Sequence, residues 1–109
     1  MIRDEESVIR RLTHDLGLTL GEARTYLGAL KAGRVRAGEA ESRALLARGM
    51  LIVGSDDGDY LPVHPRLAIS NLFRSMPDRT SPSMRQKRRL ADKLTLELIP
   101  AYEAKRGRD

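Results

Sequence analysis

The sequence predicts a mainly α-helical fold with one small β-hairpin and a long helix at its C-terminal end. Apolar residues recur at helical spacing along most of the chain. The core must be built largely from aliphatic side chains, because there is no Trp, one Phe and three Tyr in 109 residues. Leu and Ala stripes of that kind suit helix packing. The run Met50-Leu-Ile-Val53, a Gly- and Asp-rich turn, and Tyr60-Leu-Pro-Val63 together read as a hairpin.

Residues 4–15 form the first expected helix, with Asp4 as N-cap and Glu5 and Glu6 at the positive end of the dipole. Val8, Ile9, Leu12 and Leu16 give its buried stripe, and Gly17 ends it. Thr19-Leu-Gly-Glu22 is a capping box, in which each side chain satisfies the other residue's amide. The helix it opens runs to Ala32, with Ala23, Tyr26, Leu27 and Leu30 inward and Gly33 as its stop. Residues 39–48 read as one short helix ended by Gly49. The hairpin follows, and Pro62 marks its second strand as an edge. Pro65 then starts a helix striped by Leu67, Ala68, Asn71, Leu72 and Met76. After a break at 77–82, Ser81-Pro82 opens the last helix, which runs to about Ala104.

Helix, helix, helix, hairpin is a winged-helix order, so the expectation is a winged-helix-like domain over 1–76 and a C-terminal helix over 82–105. Within that order a family resemblance emerges. Leu16-Gly-Leu-Thr-Leu-Gly-Glu-Ala-Arg-Thr-Tyr-Leu-Gly-Ala-Leu30 resembles the opening helix of the archaeal TrmB-like transcriptional regulators. Leu46-Ala-Arg-Gly-Met-Leu51 is similar to the way those proteins enter the wing. Tyr60, His64-Pro-Arg66 and the long helix beyond resemble their path into a dimerising coiled coil. The likeness spans residues 12–104 with one gap. Family members place two helices before the wing, the second reading the major groove, and the pair with its turn needs roughly 28 residues. Residues 34–48 supply about half of that. Ala37-Gly-Glu-Ala40 looks like the start of the positioning helix and Ser42 to Arg48 like the tail of the recognition helix, so the base-contacting middle is missing.

Charge narrows the function. Lys and Arg total 20 against 15 Asp and Glu, a net +5, and the isoelectric point is near 10.1. The excess is mostly Arg, which suits phosphate. Two regions concentrate it. Arg34, Arg36, Arg43 and Arg48 surround the shortened segment, balanced in part by Glu39 and Glu41. Arg85-Gln-Lys87-Arg88-Arg89 begins the last helix, where basic residues oppose the helix dipole and so invite a functional reading. In the same helix Met84, Ala91, Leu94, Leu98 and Ala101 fit heptad positions, with Leu90 and Tyr102 beside them. Lys87 at a d position and Pro100 weaken the pattern, which serves either a second copy or the chain's own domain. The resemblance favours the second copy.

Other chemistry has little support. With no Cys and two distant His, His14 and His64, neither a disulfide nor a metal-ligand spacing is present. Asp56, Asp57 and Asp59 at the wing tip suit a turn, and calcium-loop spacing is absent. No phosphate loop or catalytic dyad can be read, so neither an enzyme nor a cofactor is expected. The charged first residues and the lack of an apolar run of about 18 residues point to a cytoplasmic protein without a membrane span. The leading expectation is a homodimer gripping double-stranded DNA through its phosphates, as a regulator or nucleoid-type protein. RNA is a variant, although so few aromatics give no stacking platform. The rival is an interaction module that has lost DNA readout and binds a protein or ribonucleoprotein.

Overall fold

A computed structural model describes residues 5–54, 58–74 and 82–106, with the side chains of 85–104 in the last helix. The helices are α1 (Glu5–His14), α2 (Leu20–Ala32), α3 (Ala40–Arg48), α4 (Pro65–Arg74) and α5 (Pro82–Arg106). The strands are β1 (Val35–Arg36), β2 (Leu51–Val53) and β3 (Asp59–Pro62), which make one antiparallel sheet in the order β1-β3-β2. Mainly helical, with a small sheet and a long final helix, the fold agrees with the coarse expectation.

The helix ends follow local chemistry. At the start of α2 the Glu22 amide donates to Thr19 Oγ1 at 3.1 Å, and the Thr19 amide donates to Glu22 Oε1 at 2.9 Å. Gly49 ends α3 with φ +81°, donating to the Leu46 carbonyl while Met50 donates to that of Leu45. This paired closure turns the chain directly into β2.

Three features differ from expectation. Leu67, expected in the inward stripe of α4, is 51% exposed, and Met76 of that stripe lies outside the described residues. The strand β1 is new, because two residues are too few to leave a periodic pattern. Val35 pairs with Tyr60 and Arg36 with Asp59, which makes β3 the central strand and β2 an edge. Pro62 therefore lies in the middle strand. It is tolerated there because β1 ends at the level of Tyr60, so the missing N–H of Pro62 has no strand opposite it.

The last helix is the largest correction. Ala91, Leu94, Leu98 and Ala101 are buried within the single chain, in one core with Leu12, Tyr26, Leu30 and Leu72. The supposed dimer seam is filled by α2, α4 and α1 of the same chain. Leu90 and Tyr102 are half-buried at its margins, and Met84 lies outside the described side chains. Spacing at i, i+3, i+7 and i+10 satisfies a heptad and a globular stripe equally well, so periodicity alone left the choice open. From Ala91 to Ala101 the last helix is thus part of the main core. Between α1 and α5 an Arg11–Glu97 ion pair closes the contact.

The centre of the molecule is α2, which touches α1, α3, α5 and the sheet. Tyr26 is fully buried in it and donates to the Val63 carbonyl at 3.0 Å, tying helix to hairpin. Burial raises the pKa of this phenol, and the nearby Tyr102 adds to the effect.

Candidate nucleic-acid interface

The two basic regions differ once their partners are known. Around the shortened segment, Arg48 points inward. Its Nε lies 3.1 Å from Glu22 Oε2 and its Nη2 3.4 Å from Oε1, a two-pronged pair with a carboxylate that is 5% exposed. Burial by itself would raise the Glu22 pKa. The Thr19 amide and the Arg48 guanidinium outweigh it and hold the carboxyl below its usual range. Arg48 is therefore structural rather than a free phosphate ligand.

Arg34 Nη1 lies 3.4 Å from Asp59 Oδ2, an exposed pair across the β1–β3 end of the sheet. Asp59 thus acts as a partner for Arg34, while Asp56 and Asp57 lie outside the described residues. Arg36 and Arg43 remain exposed and without an ion pair among the described residues. They stand apart in the chain, with Glu39 and Glu41 exposed between them. Ser42, wholly buried, donates to the Arg36 carbonyl at 3.0 Å and fastens α3 to β1. Gly21 of α2 lies against the exposed Glu41 side chain of α3, where a Cβ would sit 3.0 Å from Glu41 Cγ.

The outward residues of α3 are Ala40, Glu41, Arg43 and Ala47. One cation, one anion and two methyl groups are a poor set for reading base edges, which takes Arg, Lys, Asn or Gln aimed into a groove.

The second region lies on α5. Because Ala91, Leu94 and Leu98 face inward, helical spacing turns Arg89 and Lys93 outward and sets Arg85 and Arg88 towards α4. All four are exposed and lack an ion pair among the described residues. Lys87 is half-buried on the inner side and least available. The Arg88 guanidinium rests 5.4 Å from the centre of the Phe73 ring, which fixes it without neutralising it.

His64 stacks edge-on to Tyr102 at 5.0 Å while Phe73 meets Arg88, so α4 and α5 run antiparallel. A groove of about 140 Å³ lies between them. Arg66 enters it from α4 and adds to the basic set. Arg66 escapes a reading of the sequence because it is an isolated cation beside Pro65, and only the antiparallel packing puts it on the same groove as Arg88.

No protein-family model, curated protein or solved structure matches this chain. Among the described residues, no helix is long and apolar enough to cross a membrane, and no group of side chains is arranged to hold a metal ion.

Proposed function

We propose that the chain is a winged-helix-like domain with a shortened helix-turn-helix that holds double-stranded DNA by its phosphate backbone, chiefly through α5. The reading makes it an architectural protein or a regulator of relaxed specificity. One observation carries it: the apolar stripe of α5 is buried in the chain's own core, so Arg85, Arg88, Arg89 and Lys93 are displayed on a fixed helix without neutralising partners among the described residues. Several such cations suffice for salt-dependent binding that is indifferent to sequence. The winged-helix part is supported by the order α2-β1-α3-β2-β3 and by β1 adding to the far side of β3. The resemblance at Leu16–Leu30 points the same way. A second copy is not needed to form this surface, since the apolar stripe of α5 is occupied by the chain's own core.

The test is fluorescence anisotropy with labelled duplexes of mixed sequence at increasing salt, comparing the native protein with an Arg85→Ala/Arg88→Ala/Arg89→Ala/Lys93→Ala variant. Binding indifferent to sequence is expected, with the logarithmic salt slope falling by about 0.9 for each phosphate contact removed. Absence of binding at low salt overturns the reading.

A second reading has its own observation. Ile52 and Val53 are 49% and 65% exposed on β2, an edge strand that carries no charged residue. Such an edge fits a protein partner that adds a strand. In that case Ile52→Lys/Val53→Lys abolishes capture of the partner, and the α5 variant leaves it unchanged.

A further inference from the structure

We infer that the groove between α4 and α5 is a seat for a small zwitterion of the α-amino-acid type, with an apolar side chain. This inference concerns the free protein and does not rest on DNA binding.

The groove holds a cation on each wall, Arg66 from α4 and Arg88 from α5, together with the carboxylate of Asp92. Arg88 and Asp92 are one turn apart on an exposed helix face, where opposite charges can meet, less readily with the basic residue first. Here they do not: no ion pair among the described residues joins Asp92 to Arg88 or to Arg66. The Arg88 guanidinium lies on the Phe73 ring instead. Cation and anion therefore line one small cavity, each with hydrogen-bonding capacity left over.

The remaining walls refine the chemistry. Ile69 and Phe73, each 4% exposed, give an apolar floor. Thr95 Oγ1 gives its proton to the Ala91 carbonyl at 2.7 Å, so on the groove side its oxygen can only accept. An acceptor beside a carboxylate suits an ammonium group, and two guanidinium groups suit a carboxylate. Size agrees, since an apolar cavity of about 150 Å³ accommodates benzene. A branched aliphatic side chain on the floor, with its charged head at the rim, fills this groove of about 140 Å³.

Isothermal titration of the full 109-residue chain with leucine tests the assignment. It is run beside 3-methylbutylamine, which lacks the carboxylate, and 4-methylpentanoate, which lacks the ammonium. Leucine is expected to bind, and each truncated probe to bind about tenfold more weakly or worse. The variants should then cross. Arg66→Gln weakens leucine and 4-methylpentanoate but leaves the amine alone, whereas Asp92→Asn weakens leucine and the amine but leaves the acid alone. Both residues are exposed, so both variants should keep the native unfolding midpoint, which is measured alongside. Absence of binding by leucine at its solubility limit overturns the assignment. So does equal binding of leucine and 4-methylpentanoate with Asp92→Asn silent, which would leave a plain carboxylate site.

Discussion

Around α3 and the sheet, two of the four arginines turn towards partners within the chain, Arg48 to Glu22 and Arg34 to Asp59, while Arg36 and Arg43 stay exposed beside Glu39 and Glu41. Along α5 the reverse holds, with apolar residues turned inward and cations left outside. Both regions look alike in composition, and each was a fair candidate for gripping DNA. The difference teaches that a basic cluster becomes a binding surface through what its neighbours leave unpaired. Near α3, acids lie within reach on α2 and β3. Along α5 the first acid, Asp92, comes only after Arg85, Lys87, Arg88 and Arg89.

The strongest way to break this contrast is Leu98→Ala. Leu98 is wholly buried by other parts of the same chain, so its truncation should cost about 2–5 kcal/mol in denaturant unfolding. The native mass by light scattering should stay the same. A changed mass with an unmoved unfolding midpoint would restore the intermolecular seam.

Next in size is Glu22→Ala, which removes a cap and strands the Arg48 guanidinium. A loss of about 2–3 kcal/mol at neutral pH is expected, short of a fully buried pair because Arg48 is partly exposed. Its pH dependence follows from the lowered pKa in the folded state. The contribution is complete above the ordinary carboxyl value of 4.5 and is lost as pH falls through the lower folded value. Unfolding curves of native protein and Glu22→Gln should therefore converge in acid.

Gly49→Ala probes the junction of α3 and β2. The residue has φ +81°, and a new Cβ would lie 2.8 Å from Asn71 Nδ2. A loss of about 1–2 kcal/mol is expected by thermal unfolding, part of it from displacing the 2.8 Å hydrogen bond of Asn71 to the Gly49 carbonyl. The smallest effect belongs to Arg34→Ala, an exposed pair, with a stability change within about 0.5 kcal/mol. Should this variant abolish duplex binding while the α5 variant leaves it intact, the contrast between the two regions is reversed.

Much of the fold was legible because it rests on local rules. The Thr19–Glu22 box, the Gly33 and Gly49 stops and Pro65 at the head of α4 each act over a few residues, and all appear where spacing put them. What escaped was the outcome of long-range packing. The place of α5 depends on the surfaces of α2 and α4, separated from it by the 75–81 segment. The pairing of Arg48 depends on a carboxylate 26 residues earlier. Arg66 gains significance only from a helix that arrives later in the chain. For the site, Arg85, Arg88 and Arg89 stood out in the sequence as a cluster, whereas Lys93 did not, and Lys87 of the same cluster is half-buried.

The Glu22–Arg48 contact has a topological consequence. It joins the first turn of α2 to the last turn of α3, enclosing β1 and the whole shortened segment in a loop shut by one carboxylate. In a chain without cysteine this clasp does the work of a cross-link that acid can undo. Protonating Glu22 should release the loop as a unit, so that amides from Val35 to Arg48 begin to exchange together while those of α5 stay protected.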